Sequence, residues 1–364
     1  MLQAEYGMKK WDVETPALLV DIEALERNIL SMSGYFTGVE ADLRPHVKTH
    51  KSPVIAQKQI KAGAIGITCA KLGEAEVMVR AGIADILIAN QIVGESKIRR
   101  LINLARHSHI IVAVDHSGNV SMLSEAASIA GVQLDVLVEV DVGMGRCGAQ
   151  PGLPSLELAQ HVLRSSGLRF RGLMGYEGHA VIEPDPFLRK QKAITSMDLL
   201  LETKALLLQE SVPVEIVSCG GTATYDIVSA IPGITEVQAG SYPTMDSTYR
   251  KIRPEFECAM TLLTTVISRP DPQKAILDCG RKSLSQDLGM SQVVGVEGAE
   301  LVRLSEEHGN LRLEDLQRKL SVGDKLEIIP SHGCTTINLH DHFFVIRENC
   351  VEDIWKIEGR GKFW

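Results

Sequence analysis

Short apolar runs alternate with amphipathic stretches from Thr15 to about Tyr249, and this alternation is the strongest constraint that the sequence places on the fold. Near-continuous strings of Val, Ile and Leu are typical of parallel strands that are covered on both faces. The predicted strands are Ala17–Val20, Ile65–Thr68, Asp85–Ala89, Ile110–Val114, Leu134–Val140, Phe170–Gly175, Val214–Ser218 and Glu236–Gly240. Eight such βα repeats predict an α/β fold, a (β/α)8 barrel of the TIM type, over residues 15–250.

The alternation of apolar runs and amphipathic stretches ends at about Arg250. Short β-rich segments, separated by Gly and Pro turns, replace the βα repeats. These segments are Ala259–Ser268, Lys274–Cys279, Gln292–Leu304, Lys325–Ile329 and His342–Glu348. The pattern predicts a mostly antiparallel β domain built from residues 251–364, and residues 1–14 are expected to add a strand to it.

The overall composition argues against several classes of function. A net charge of −8 argues against a basic face for nucleic acid. No stretch approaches the roughly 20 apolar residues of a membrane span, and the charged N-terminus does not resemble a signal peptide. Seven scattered cysteines, an odd number, favour a reducing compartment over a disulfide framework. We therefore expect a cytoplasmic protein that acts on a small molecule and has no nucleic-acid or membrane partner.

The segment Leu43–Pro53 (LRPHVKTHKSP) carries two lysines, two histidines and an arginine beside a predicted strand end. Barrel active sites lie where the strands end and the βα loops begin. A lysine that is desolvated and surrounded by cations becomes neutral enough to form a Schiff base. Lys48 and Lys51 are the candidates for such an amine, although a solvated basic loop would explain the same residues.

Two glycine-containing loops follow the last two predicted strands. The first, SCGGT, begins at Ser218; its glycines, Gly220 and Gly221, let the backbone approach an anion, and Thr222 adds a hydroxyl. The second is Gly240–Tyr242 (GSY). Loops after the seventh and eighth strands of such barrels frequently bind phosphate. A glycine pair after a strand is by itself more often a simple turn, so the residues alone leave both interpretations open.

His332 and Cys334 form an H-x-C pair in the segment Ile329–Asp341 (IPSHGCTTINLHD). In an extended chain, side chains two positions apart point the same way, so both could reach one ion. Imidazole and thiolate are ligands that suit zinc. Two buried residues on one strand face would be the commoner explanation, and a metal held by only two protein ligands needs water or substrate to complete its shell.

Four segments, TPALLV, LRPHVKTHK, VEVDVGMGRCG and SCGGT, resemble the fold-type III pyridoxal 5′-phosphate (PLP) enzymes, which have alanine racemase-like barrels. HVKTHK and the C-terminal PSHGCTTINLHD are similar to the branch of the D-threonine aldolases and D-serine dehydratases. The resemblance runs from Asp12 to Phe363. It implies a PLP-binding barrel, a smaller β domain that carries the metal pair close to PLP, and a homodimer.

The resemblance also implies roles for individual residues. Lys48 carries PLP, Arg146 contacts the cofactor ring or its phenolic oxygen, and Tyr176 lies in the cofactor site. His179, which follows the same strand as Tyr176, is a candidate acid/base catalyst, because an unperturbed histidine titrates near neutral pH. The phosphate is assigned to both loops, so the predicted cofactor-binding residues there are Ser218, Gly220, Gly221, Thr222, Gly240, Ser241 and Tyr242.

The metal pair and the rest of the chain indicate two different lyase reactions on small D-3-hydroxy amino acids. In the families that the chain resembles, dehydratases have His-x-Cys with zinc, and aldolases have His-x-Asp with manganese or magnesium. Cys334 therefore favours dehydration of D-serine or D-3-hydroxyaspartate to a 2-oxo acid and ammonia. The general sequence, including GYEGH at Gly175–His179, favours retro-aldol cleavage to glycine and an aldehyde. Aldol cleavage is the preferred prediction.

Two further classes of PLP protein fit the sequence less well. An amino-acid racemase needs two opposed proton-transfer groups and no metal, so the H-x-C pair argues against it. A PLP-homeostasis protein without catalysis is usually a compact barrel, so the residues after Arg250 argue against that class.

Overall fold

The computed structural model describes residues 4–315 and 319–364, and internal contacts divide the chain into two units. The β unit comprises Met1–Ser31, Thr49–Val54 and Ser241–Gly361. The barrel unit comprises Met32–Lys48, Ile55–Gly240 and Lys362–Trp364. Each unit is therefore assembled from several separate stretches of sequence.

The strands, in chain order, are β1 (Ala17–Asp21), β2 (Asp42–Leu43), β3 (Ile67–Cys69), β4 (Asp85–Gln91), β5 (His109–Val114), β6 (Leu134–Glu139), β7 (Leu168–Met174), β8 (Ile216–Cys219), β9 (Glu236–Val237), β10 (Met260–Asp271), β11 (Lys274–Leu277), β12 (Gln292–Val293), β13 (Ala299–Leu304), β14 (Gly309–Leu313), β15 (Lys325–Ile329), β16 (His342–Arg347) and β17 (Cys350–Lys356). The helices are α1 (Ile22–Phe36), α2 (Pro53–Lys61), α3 (Leu72–Arg80), α4 (Glu95–Ala105), α5 (Ser117–Ala130), α6 (Leu153–Arg164), α7 (Gly178–Val181), α8 (Pro186–Gln209), α9 (Tyr225–Val228), α10 (Ser247–Ile252) and α11 (Gly333–Ile337).

The barrel unit contains eight parallel strands in the order β2-β9-β8-β7-β6-β5-β4-β3. A further parallel bridge between His46 and Thr68 joins the two ends of this order, so the strands form a ring. Apolar side chains from β4 to β8 pack together as one buried cluster, namely Leu87, Ile111, Ala113, Leu137, Met174 and Ile216. The predicted α/β barrel is confirmed.

One predicted barrel strand was assigned to the wrong sheet. Ala17–Val20 does form a strand, β1, but it pairs antiparallel with β10 and parallel with β16 in the β unit. All four residues are buried because β1 has a neighbour on each side and is covered on both faces. A central strand of a mixed sheet and a strand of a barrel can both have such an apolar run, so the sequence does not distinguish between them. The first strand of the barrel is instead β2.

The β unit is built around a nine-stranded sheet with the order β13-β14-β11-β10-β1-β16-β17, in which β15 pairs with β10 and β12. All of its pairings are antiparallel except β1 with β16. A buried cluster beside β1 contains Ala4, Val13, Ala17, Leu19, Leu263, Phe344, Ile346 and Val351. The prediction of a mostly antiparallel β domain is confirmed.

Two details of the β unit differ from the sequence prediction. The predicted strand Gln292–Leu304 is interrupted between β12 and β13, where Gly295 and Gly298 adopt positive φ angles of 66° and 81°. Residues 4–14 form a short 3-10 turn, Lys10–Asp12, and a single bridge from Lys9 to Cys350 instead of a strand. Both deviations follow from local turn geometry, which binary patterning does not report.

The seven cysteines all lie in the described part of the chain, and none of them forms a disulfide there. Within residues 4–315 and 319–364, no helix combines the length and the apolar character that a bilayer crossing requires.

A network of ion pairs joins the first residues of neighbouring barrel strands. Asp135 of β6 accepts hydrogen bonds from Arg169 at 2.6 and 2.7 Å and from Arg171 at 2.5 Å. The ring nitrogens of His109, at the start of β5, lie 2.9 Å from Asp135 and from Asp85. Burial disfavours ionisation of Asp135, but the hydrogen bonds from Arg169, His109 and Arg171 outweigh it and lower its pKa. This end of the strands is opposite the end where barrel active sites lie, so the network serves stability.

We expect Asp135→Asn to destabilise the protein by about 2–3 kcal/mol at pH 7, less than for a fully buried pair because Arg169 is half exposed. The lowered pKa means that the stabilisation is present above the pKa of the unfolded carboxyl, about 4, and is lost as the pH falls through the folded value. Urea denaturation between pH 7 and pH 3 measures both effects.

Glu215→Gln is the control, because it removes an exposed carboxylate that pairs with Arg171 at the edge of the network, and a loss within about 0.5 kcal/mol is expected. An Asp135→Asn deficit that stayed constant down to pH 3 would contradict the proposed charge network.

Candidate active site

Lys48 lies in the turn that follows β2, in the barrel unit. Its backbone N–H donates to the ring of His46 at 3.4 Å, and the backbone N–H of His46 donates to the carbonyl of Ala239 after β9 at 3.2 Å. His46 also forms the bridge to Thr68 of β3. Because the turn is tied to strands on both sides, it holds the half-buried Lys48 side chain at the carboxyl end of the barrel strands. This is the end at which barrel enzymes bind substrate.

The ring of Tyr176, which follows β7, lies close to two cationic side chains. The Lys48 Nζ atom is 5.4 Å from the ring centroid, and the guanidinium carbon of Arg146 is 5.7 Å from it. Both distances are within the range of a cation–π contact. The Arg146 side chain is half exposed, and its Nη2 atom is 3.9 Å from Glu139 Oε1. Three of the predicted cofactor residues therefore meet at one place in the barrel unit.

The first glycine loop has a backbone shape that requires glycine. Gly220 has a φ of +79°, and a Cβ atom there would lie 2.8 Å from Val228 Cγ2. The N–H of Gly220 donates to Glu177 Oε2 at 3.2 Å, and the N–H of Gly221 donates to Thr224 Oγ1 at 3.2 Å. Both amides therefore have protein partners, Glu177 after β7 and Thr224 just beyond the loop, and the glycines serve the conformation of the loop.

The same loop lies against the Tyr176 ring. A Cβ atom at Gly221 would be 3.5 Å from Tyr176 Cε2. Thr222 is buried, and the hydroxyl of Ser218 accepts a hydrogen bond from Gln238 Nε2 at 2.9 Å. The predicted phosphate loop and the tyrosine predicted to lie in the cofactor site are therefore neighbours.

The second glycine loop also approaches the lysine turn. A Cβ atom at Gly240 would lie 2.5 Å from the carbonyl oxygen of His46, so only glycine fits there. Ser241 and Tyr242 belong to the β unit, where both are buried. The Tyr242 ring packs 5.9 Å from the ring of Phe256, between centroids. The cofactor-binding roles of Gly240, Ser241 and Tyr242 stay predictions.

His179 is placed on α7, and its ring has one nitrogen without a partner. Its Nε2 atom lies 3.4 Å from the hydroxyl of Ser196 on α8. Its Nδ1 atom is buried and has no hydrogen-bond partner among the described residues. The acid/base role of His179 stays a prediction.

Two buried carboxyl groups in the barrel unit were not singled out from the sequence. Glu177 follows Tyr176 and is completely buried, and Glu139 ends β6 with a hydrogen bond from Gln91 Nε2. Burial raises the pKa of Glu139 against the lowering effects of Gln91 and Arg146. From sequence alone, an acidic residue next to a strand end is predicted to be a solvated loop residue. The only sequence feature that could have indicated a buried role was the position of Glu177 in GYEGH and of Glu139 in VEVD.

In the β unit, His332 and Cys334 come together by a different route from the one predicted. They do not share the face of an extended strand: His332 is extended, but Gly333–Ile337 is the short helix α11. The N–H of Gly333 donates to Asp246 Oδ2 at 2.9 Å, which fixes the start of this helix. The two side chains still interact electrostatically with each other, and the Cys334 thiol donates to the hydroxyl of Thr49 at 3.3 Å.

Asp287 is the main partner of His332 that the sequence did not reveal. Its Oδ2 atom lies 2.7 Å from His332 Nδ1, and its Oδ1 atom accepts a hydrogen bond from Thr335 at 3.0 Å. Burial lowers the pKa of His332, but the contacts with Cys334 and Asp287 outweigh it and raise the pKa to about 9. Asp287 is 45 residues away in the chain, so no local motif connects it with the pair.

The donor set of this cluster fits a divalent metal with an incomplete protein shell. Imidazole nitrogen and thiolate sulfur are both zinc ligands, and a carboxylate on the far ring nitrogen is the usual orientation of a metal-bound histidine. Within residues 4–315 and 319–364, no group of three or more His, Cys, Asp or Glu is arranged to hold a metal ion. The metal-binding role of His332 and Cys334 stays a prediction.

The chain matches the family described as "Alanine racemase, N-terminal domain" over residues 20–248 and the family described as "Putative serine dehydratase domain" over residues 259–346. It is 38% identical to a D-threonine aldolase from Arthrobacter sp. over 353 residues, which cover 96% of this chain and 93% of that protein. It is 29% identical to the D-threo-3-hydroxyaspartate dehydratase of Delftia sp. over 348 residues, which cover 89% of this chain and 92% of that protein.

The solved structures agree with the sequence comparisons. A crystal structure of D-threonine aldolase from Filomicrobium marinum has a TM-score of 0.97 and 38% identity, and the match covers 100% of both chains. The chain therefore belongs to the alanine racemase-like, fold-type III family of PLP enzymes, in the lyase branch that includes these aldolases and the dehydratase.

Proposed function

We propose that this enzyme cleaves D-3-hydroxy-α-amino acids to glycine and an aldehyde, with PLP held by Lys48 and a divalent metal held by His332 and Cys334. The observation that carries the proposal is the convergence of Lys48 and Arg146 on the Tyr176 ring, at the carboxyl end of the barrel strands. The match to D-threonine aldolases over almost the whole chain supports the reaction type.

The barrel residues fit PLP because they offer an amine, a ring contact and close backbone approaches in one place. PLP supplies the electron sink for the substrate bond that is broken. The Lys48 amine anchors the cofactor, and Arg146 orients its ring. Gly220 and Gly240 leave no room for a Cβ atom, which keeps the backbone of both loops close to their neighbours.

His179 is the group that moves a proton in this proposal. Its place in the segment after β7, three residues beyond Tyr176, supports the proposal, and its Nε2 atom contacts the Ser196 hydroxyl at 3.4 Å. We propose that His179 takes the proton of the substrate β-hydroxyl, the step that retro-aldol cleavage requires. A general base of this kind typically contributes about 10²- to 10⁴-fold to the rate.

His332 and Cys334 hold the metal, and Asp287 keeps the His332 ring oriented through Nδ1. A divalent metal supplies a Lewis acid for the substrate hydroxyl. The nitrogen and sulfur ligands favour zinc, whereas manganese or magnesium would prefer oxygen ligands. Zinc is therefore the proposed metal, with manganese or magnesium as the alternatives.

Dehydration is the second candidate reaction, and Cys334 is the observation that favours it. The relative from Delftia sp. is a dehydratase of D-threo-3-hydroxyaspartate, although its identity with this chain is lower than that of the aldolase. In β-elimination the same hydroxyl leaves instead of losing its proton, and the products are a 2-oxo acid and ammonia.

Product analysis separates the two reactions. We expect D-threonine to give glycine and acetaldehyde in equal amounts, and D-serine or D-3-hydroxyaspartate to give little 2-oxo acid. L-threonine is the stereochemical control. Pyruvate and ammonia as the main products from D-serine would replace aldol cleavage with dehydration, and inactivity towards the whole panel would contradict both.

We further propose that the enzyme is a cytoplasmic homodimer. The resemblance to PLP enzymes of this branch supports the homodimer. The seven free cysteines support a reducing compartment such as the cytoplasm. Light scattering after gel filtration at micromolar concentration measures the mass, and a mass of one chain would contradict the dimer.

A further inference from the structure

Glu177 holds both glycines of the first loop. Its Oε2 atom accepts the N–H of Gly220 at 3.2 Å, and its Oε1 atom accepts the hydroxyl of Thr224 at 2.5 Å. Thr224 Oγ1 in turn accepts the N–H of Gly221 at 3.2 Å. One carboxyl group thus fixes Gly220 directly and Gly221 through a hydroxyl, and all of these residues belong to the barrel unit.

The environment of this carboxyl group is unusual for a purely structural residue. Glu177 is 0% exposed, and its hydrogen-bond partners, the Gly220 amide and the Thr224 hydroxyl, carry no charge. Burial raises its pKa, and the hydrogen bonds from Thr224 and Gly220 offset this effect only in part. A buried carboxyl without a cation is costly to keep, so its two hydrogen-bonded partners indicate a specific task.

The position of Glu177 links the loop to the lysine site. It directly follows Tyr176, whose ring lies 5.4 Å from Lys48 Nζ. A Cβ atom at Gly221 would lie 3.5 Å from the same ring. The dipeptide Tyr176–Glu177 therefore contacts the amine with its first side chain and fixes the glycine loop with its second.

We propose that Glu177 is a positioning residue for the phosphate of the cofactor. It acts through Thr224 and Gly220 and does not itself contact the cofactor. The inference rests on the proposed function, because it assumes that this loop binds the phosphate of PLP. A loop that is already ordered loses little conformational freedom on binding, so Glu177 increases affinity for the phosphorylated cofactor specifically.

The affinities of the apoenzyme for PLP and for pyridoxal, which lacks the phosphate, test this inference. Thr224→Val removes the hydroxyl that bridges Glu177 and Gly221, and Glu177→Gln removes one acceptor at nearly constant volume. Each variant is expected to bind PLP roughly 10- to 100-fold more weakly, the factor that corresponds to one or two buried groups left unsatisfied. The affinity for pyridoxal should change less than about 3-fold, because pyridoxal has no phosphate that could bind to the loop.

Matched controls come from the same unit. Thr203 is also buried, and its hydroxyl accepts the N–H of Gly152 at 3.0 Å and donates to the Leu199 carbonyl at 2.8 Å. Glu74 is a buried carboxylate that accepts the N–H of Ala70 at 2.7 Å. Thr203→Val and Glu74→Gln are expected to leave the ratio of the PLP and pyridoxal dissociation constants unchanged.

The ratio also separates this inference from a general structural role. Equal weakening for PLP and pyridoxal, or no weakening in Thr224→Val, would overturn it. If Glu177→Gln fails to fold, Thr224→Val still decides the question. A wild-type apoenzyme that binds neither compound would overturn the proposed function instead.

Discussion

A Lys48→Ala variant is expected to lose at least about 10³-fold in kcat/KM, because it removes the amine that anchors the cofactor covalently. The visible absorbance of the bound cofactor should disappear as well. Borohydride treatment of the wild-type enzyme, followed by peptide mapping, is expected to place the reduced cofactor on the Lys48 peptide. These measurements report attachment and activity separately.

Lys51→Gln is the control for this experiment, since Lys51 is the other lysine of the HVKTHK motif. Lys51 is buried in the β unit with a left-handed φ of 53°, and its carbonyl accepts the N–H of Gly359 at 2.9 Å. The variant should keep the cofactor on Lys48. A reduced adduct on Lys51, or an unchanged spectrum in Lys48→Ala, would contradict the assignment.

Removal of the metal by a chelator is expected to lower kcat by at least about 10²-fold, since a Lewis acid supplies several kcal/mol to charge stabilisation. The spectrum of the bound cofactor should persist, because the amine that holds it is untouched. Adding zinc, manganese or magnesium back one at a time identifies the metal that restores activity. Elemental analysis of the purified enzyme gives its metal content independently.

Variants of Cys334 and Asp287 distinguish a residue that binds the metal directly from one that orients a metal ligand. Cys334→Ala should lose the metal and show the same deficit without recovery. Asp287→Asn should keep the site but bind metal about 10- to 100-fold more weakly, because the His332 ring loses its charged partner. Cys350→Ala, at a half-buried cysteine of the same unit, is the control. Full activity in metal-free protein would contradict a catalytic metal.

The barrel was predictable because most of its strands are apolar on both faces. The segments around β5 and β6 are continuous buried runs, so their period and length identify them without tertiary information. β2 has only two residues and an exposed Asp42, too short for any pattern. β1 has the same apolar signature as a barrel strand, so sequence could not tell which sheet surrounds it.

The candidate site was predictable where sequence motifs resemble those of a known family. Lys48, Arg146 and Tyr176 were assigned to the cofactor from that resemblance, and the structure brings them together around one ring. Glu177 and Asp287 were missed because their importance depends on partners distant in sequence, namely Thr224 and His332. Hydrogen bonds across 45 residues or more leave no periodic trace, so only a three-dimensional description reveals them.

During synthesis, β1 emerges from the ribosome long before its neighbouring strands, β10 and β16, have been made. Leu19 must pair with Thr261 on one side and with Phe344 on the other, so the middle of this sheet waits for the last part of the chain to be made. At bacterial and eukaryotic elongation rates the delay is on the order of 10–60 s. During that interval the apolar side chains and the unpaired backbone groups of Ala17–Val20 are accessible to other nascent chains. A chaperone that binds this segment should therefore raise the yield of native enzyme.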